Sequence, residues 1–184
     1  MTYGEYRRTK PRLNVLRGWK GNEPQSLSHV ATPAAGVDIY SGQLITLNEF
    51  GKWVLYDYDD HKTSVPYFAY SDAIWNAADT KILTDTDVAS SGLLLGLSCL
   101  GEYEIQTAYF DATQTYAHGA AVKGSASVPG SLTVGDYAAA NAAVGIVSRA
   151  GMEDIAKINS EATPDNNGKV YVLNLVLRWH PASA

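Results

Sequence analysis

Charge is scarce in this chain and cysteine nearly absent. Of 184 residues, 18% are charged and one, Cys99, is a cysteine. A single cysteine excludes an intramolecular disulfide and any cysteine-cluster metal site. Cys99 sits in the apolar run 93–100, which reads as a small buried hydrophobe rather than a reactive thiol. No apolar run approaches the roughly eighteen residues that would cross a bilayer. The charged N-terminal residues have no apolar stretch behind them, so a secretory signal is not expected. These absences describe a soluble protein made in a reducing compartment.

Tyrosine takes up part of the missing polarity, with 12 residues. Tyrosine is favoured where one end of a side chain is apolar and the other wet, and with so little charge this leans towards an assembly component. The charge that exists is polarised. Residues 1–20 hold Arg7, Arg8, Lys10, Arg12, Arg17 and Lys20 against Glu5 alone, a local +5, which leaves −10 on the other 164 residues of a chain whose net charge is −5. Residues 1–35 show no sustained period and are broken by Pro11, Pro24 and Pro33. They are expected to form an extended basic arm, ordered when docked and anchored by apolar residues such as Trp19. Docking on an acidic protein surface is preferred to nucleic-acid binding, because the −10 body would repel a polyanion.

From residue 36 to 184 the periodicity is that of strands. Runs 43–47 and 52–58, separated by Asn48-Glu49-Phe50-Gly51, read as a β-hairpin on which the domain is organised. Further strands are expected at 65–70, 93–100, 102–110, 120–122, 131–134, 144–149 and 171–180. In 102–110, Tyr103, Ile105, Thr107 and Tyr109 alternate with Glu102, Glu104 and Gln106, the pattern of a half-exposed strand. The last strand is the clearest, with Tyr171, Leu173, Leu175, Leu177 and Trp179 on one face. A short helix is drawn at 136–143, a loop or helical turn at 152–159, and 72–87 reads as polar and irregular. No fixed-period repeat is visible. The fold class is mainly β: a compact antiparallel β-barrel or sandwich, β-tulip-like or similar, with an extended N-terminal arm and at most one or two short helices.

Chemical motifs are lacking. The acidic stretch Asp57, Asp59, Asp60 and His61 has neither the glycine nor the glutamate of a calcium loop and reads as a solvated loop. The four histidines are not spaced as zinc ligands, and there is no nucleophile elbow or phosphate-binding glycine loop. No catalytic residue, metal or cofactor is expected, and the chain is not read as an enzyme.

The segments S-G-Q-L-I-T-L-N-E-F-G-K-W-V-L (41–55), V-P-Y-F-A-Y-S-D (65–72), D-T-D-V-A-S-S-G-L-L-L-G-L (85–97), G-E-Y-E-I-Q-T-A-Y-F-D (101–111) and V-G-I-V-S-R-A-G (144–151) together resemble the head decoration (cement) proteins of tailed bacteriophages. The resemblance covers about residues 35–155 and leaves out the first 25 residues and the final strand. It implies a non-enzymatic virion protein on the outer surface of the capsid that staples neighbouring major capsid protein subunits. It also implies a homo-oligomer, a trimer in preference to a dimer, with no direct contact to nucleic acid or membrane. On that reading the arm residues Arg7, Arg8, Lys10, Arg12, Arg17, Trp19 and Lys20 lie across an adjacent subunit, and weak contacts sum by multivalency. The alternative is a phage or bacterial adhesin module that displays Tyr56, Tyr58 and Trp75 to carbohydrate.

Overall fold

The hairpin expected at the centre is present. Strands β3 (Leu44–Leu47) and β4 (Trp53–Leu55) pair antiparallel, with Ile45 opposite Leu55 and Leu47 opposite Trp53. Asn48 closes the loop between them: its Oδ1 accepts from the Phe50 and Lys52 N–H groups, and Gly51 takes φ 68°. The computed structural model describes residues 14–17, 28–70, 73–76, 81–84, 94–99, 104–111, 113–135, 143–148, 153–154 and 171–180.

Around the hairpin lie β2 (Ser28–Ala31), β5 (Tyr67–Ala69) and β8 (Leu94–Ser98), in the order β2-β8-β5-β3-β4. A second sheet holds β9 (Glu104–Thr107), β10 (Ala121–Gly124), β11 (Leu132–Val134), β12 (Ala143–Val147) and β14 (Tyr171–His180), in the order β9-β14-β12-β10-β11. To it are added β1 (Asn14–Arg17) against β9 and β13 (Glu153–Asp154) against β14. A hairpin of β6 (Ala73–Asn76) and β7 (Lys81–Thr84) and the single helical turn α1 (Tyr58–His61) complete the described elements. All strand pairs are antiparallel, and the mainly β fold class holds.

The two sheets are the same structure twice. Counted in chain order within each sheet, both run first, fifth, fourth, second, third. Their registers also correspond pair by pair. Ile45 opposite Leu55 matches Val122 opposite Val134, and Leu44 opposite Phe68 matches Ala121 opposite Ile146. Phe68 opposite Leu97 matches Ile146 opposite Val176, and Val30 opposite Leu95 matches Gln106 opposite Asn174. Even the irregular pieces repeat. The Trp53 N–H donates to the Thr32 carbonyl and its own carbonyl accepts from Ala34 N–H, at 3.0 and 2.8 Å. Leu132 does the same between Tyr109 and Asp111, at 3.0 and 2.8 Å. Each of these is a parallel bridge joining the residues after the first strand to the third strand. The turn before the second strand repeats too, with Gly42 at φ 94° and Gly119 at φ 80°, donating to Ala69 and Val147. A repeat absent from the sequence pattern is thus present in the topology. Equivalent positions carry Trp53 and Leu132, Leu44 and Ala121, Tyr56 and Gly135, so topology and register persist where side-chain identity does not.

Two cores result. In the first unit Trp53, wholly buried with Ile39, Ile45 and Leu94, donates from Nε1 to the Leu94 carbonyl at 2.8 Å. Its ring meets Tyr67 edge-on at 5.0 Å and His29 at 5.7 Å. The second core joins Leu44, Tyr56, Phe68, Leu97 and Cys99 to Ile105, Val122, Leu132, Val144 and Val147, so one apolar cluster spans both sheets. Close packing of this kind explains Gly96, where a Cβ would lie 2.7 Å from the Trp53 ring, and Gly124, where it would lie 2.6 Å from the Tyr56 ring.

Several expectations change. The stretch drawn as an irregular arm contains two strands, β1 and β2, which pair with β9 and β8. β9 is interior to its sheet, between β1 and β14, and is buried on both faces rather than half-exposed, with Glu104 and Gln106 as well as Ile105 and Thr107 buried. Residues 72–87 include the β6–β7 hairpin, and residues 153–154 form β13. The helix drawn at 136–143 lies outside the described residues except for Ala143, which begins β12. Tyrosine is also used inside the fold: Tyr56 and Tyr116 belong to the core.

Gly96→Ala and Gly124→Ala are each expected to lower unfolding stability by about 1–3 kcal/mol, the cost of overpacking. Ala126→Ser, at an exposed position in the β10–β11 turn, should shift it by less than about 0.5 kcal/mol. Urea unfolding measures all three. A glycine variant as stable as the parent would contradict the packing described.

Candidate functional site

The polar residues singled out from sequence mostly hold local structure. Asp57 caps α1 by accepting from the Asp59 N–H at 2.9 Å, and the Asp57 N–H donates to His61 Nδ1 at 3.1 Å. The acidic stretch is therefore a capped helical turn with Asp59 and Asp60 in its first turn, where carboxylates favour the helix dipole. No group of three or more metal-ligating side chains gathers among the described residues. His29 packs on Trp53, while His118 is exposed in the turn before β10.

Of the arm residues, Arg17 alone is among those described. It ends β1, with Glu104 as its Cα partner in β9. Glu104 is buried and accepts from the Ser148 hydroxyl at 2.9 Å. Arg7, Arg8, Lys10, Arg12, Trp19 and Lys20 lie outside the described residues. Asn14 is nevertheless held at the edge of the second sheet, so the cations of residues 7–12 are tethered a few residues from a paired strand.

Of the aromatic residues named for carbohydrate display, Tyr56 and Tyr58 are described with their side chains. Tyr56 is wholly buried, and Tyr58 is half-buried with the Lys123 Nζ 4.2 Å over its ring. The side chain of Trp75, in β6, is outside the described set. Among the described residues, the large apolar side chains that are exposed are others: Phe50 at 76%, Val128 at 55%, Val30 at 49% and Tyr70 at 42%. Phe50 and Val128 occupy the tips of the two equivalent hairpins, β3–β4 and β10–β11. Pattern reading missed this because an apolar residue within a turn breaks no period.

Two buried hydroxyls differ in their surroundings. Tyr116 donates to the Asp111 carbonyl at 3.0 Å. Burial first, and then the Asp111 carboxylate, push its pKa up to about 12. Tyr56 has no hydrogen-bond partner for its hydroxyl among the described residues, and burial raises its pKa well above the ordinary tyrosine value. Cys99, buried in the same cluster, likewise has its thiol pKa pushed up by burial. The Asp111 carboxylate accepts from Thr113 and Gln114, which lowers its pKa.

Compared with protein-family models, curated proteins and solved structures, the chain matches none.

Tyr56→Phe removes an unsatisfied buried hydroxyl and is expected to raise stability by about 1 kcal/mol. Tyr116→Phe forfeits a made hydrogen bond and should lower it by a similar ~1 kcal/mol. Chemical denaturation separates the two signs, and a loss in Tyr56→Phe would mean its hydroxyl has a partner. The raised tyrosine pKa values also give stability that is complete below pH 10 and is lost as pH rises towards about 12, the folded value for Tyr116. Stability measured against alkaline pH checks this window.

Proposed function

We propose that this protein is a non-enzymatic structural component of a phage virion that binds the outer capsid surface and links neighbouring major capsid protein subunits. The reading rests on the resemblance of five sequence segments to phage head decoration proteins. The observation that carries it in structural terms is the anchoring of β1. Residues 7–12 bring four cations to a strand fixed on the second sheet, while the body of the chain is acidic. Charge of that polarity steers association with an acidic protein surface. Repeated engagement over a symmetric shell would then add weak contacts into stable attachment.

A deletion through residue 25 would remove β1 and uncover β9, so charge neutralisation is the cleaner test. Co-sedimentation with decoration-free phage heads is expected to pellet the full-length protein. Replacing Arg7, Arg8, Lys10 and Arg12 with Gln should weaken binding roughly 30-fold, from four contacts of about 0.5 kcal/mol each. Raising the salt concentration should weaken the parent more than the variant. A variant that binds like the parent would remove the arm from the interface. Failure of the parent to pellet would overturn the capsid reading itself.

A further inference from the structure

The two equivalent units are joined asymmetrically: the hairpin glycine of the second is buried and that of the first is exposed. Within the chain, the tip of the second unit's hairpin seats on the first unit. Gly130, at φ 82°, inserts between the ends of β3 and β4, where its carbonyl accepts from Leu44 N–H at 2.8 Å and its N–H donates to the Tyr56 carbonyl at 2.9 Å. Nearby, the Thr107 hydroxyl donates to the Gly42 carbonyl at 2.7 Å. The seat comprises Ser41, Gly42, Gln43, Leu44 and Tyr56, all buried.

Among the described residues, no pair of backbone hydrogen bonds to the equivalent seat on the second unit corresponds to the pair that Gly130 makes. His118 and Gly119, the counterparts of Ser41 and Gly42, are exposed. Ala120, Gly135 and Ile146, the counterparts of Gln43, Tyr56 and the wholly buried Phe68, are half-exposed. The counterpart of the seated tip is likewise open. Ser125 and Asn48 start the two hairpin loops, and each pins its loop with a side-chain oxygen that accepts from two N–H groups. Gly130 is buried, but its left-handed counterpart Gly51 is exposed beside Phe50.

Side-chain sizes differ between the two seats. The occupied seat is built from large residues, Leu44 and Tyr56, and takes a glycine. The equivalent positions of the second unit carry Ala121, itself buried, and Gly135, half-exposed, and the open tip carries Phe50.

We propose that the open tip of the first unit, residues 48–52 with Phe50 foremost, docks on the open seat of the second unit of another copy of this chain, around Ala120, Gly135 and Ile146. The contact repeats between molecules the joint already made within one. Because tip and seat are different surfaces, the interface is heterologous, and it propagates head to tail into a closed ring or an open chain. It does not depend on what the assembly coats, so head binding and self-association are separate measurements.

Sedimentation equilibrium over a concentration series tests it. The parent is expected to form species that are multiples of the 19.8 kDa monomer. Phe50→Asp, altering the tip, and Ile146→Asp, altering the seat, should each return the mass to the monomer. Should Ile146→Asp fold poorly by circular dichroism, His118→Asp alters the same face from an exposed position. Each variant keeps the half that the other lacks, so an equimolar mixture of tip and seat variants should form a dimer and stop there. A parent that stays monomeric, a Phe50→Asp that still associates, or a mixture that remains monomeric would overturn the proposal.

Discussion

The backbone of Gly130 is the constraint on which the rest of the structure depends. By bonding to Leu44 and Tyr56 at the ends of the β3–β4 hairpin, it fixes the second unit on the first. The apolar cluster can then run from Phe68 and Leu97 through to Val122 and Val147. A side chain at this position would have to adopt a left-handed backbone and would press on Leu55, whose Cδ2 lies 3.0 Å from where a Cβ would stand. Only glycine satisfies both demands. The first unit has a core of its own around Trp53, and burying the other face of β3, β5 and β8 against the second sheet adds apolar area that a single five-stranded sheet lacks.

Duplication also explains how one topology tolerates unlike sequences. The register of every strand pair is set by main-chain bonding and by turns with glycine at equivalent places, Gly42 and Gly119. The interiors are then free to differ. In the first unit Trp53 fills the space, against a glycine at position 96; in the second the third-strand position carries Leu132, and Tyr116 stands where the first unit has Ile39. Bulk moves from one strand to another while packing stays dense. The insertions fall in the same interval, between fourth and fifth strands, where β6–β7 lies in one unit and β13 in the other.

What was legible in the sequence was what local pattern determines. The β3–β4 hairpin, the strands β8 and β12, and the long β14 were readable from alternation and turn chemistry. The burial of Glu104 and Gln106 was not, because it depends on parts of the chain distant in sequence covering both faces of β9. The same distance hid β1 itself, four residues without a strand's alternation that are ordered by their partner. The repeat was hidden for a different reason: pairs such as Leu44 and Ala121, or Tyr56 and Gly135, share backbone roles and no side-chain character. Of the candidate contact residues, the basic cluster was visible as composition. The exposed Phe50 was not, since exposure at a turn leaves no periodic signal.

The most direct measurement of the central claim, that two equivalent units share one core, is residue-resolved amide hydrogen exchange under native conditions. Trp53 and Leu132, Tyr56 and Gly135, and Ala69 and Val147 donate equivalent backbone bonds. The account predicts that both members of each pair are protected and that the two sets are lost together in one cooperative opening as denaturant is raised. Protection in one unit with rapid exchange in the other, or two separate openings, would contradict it.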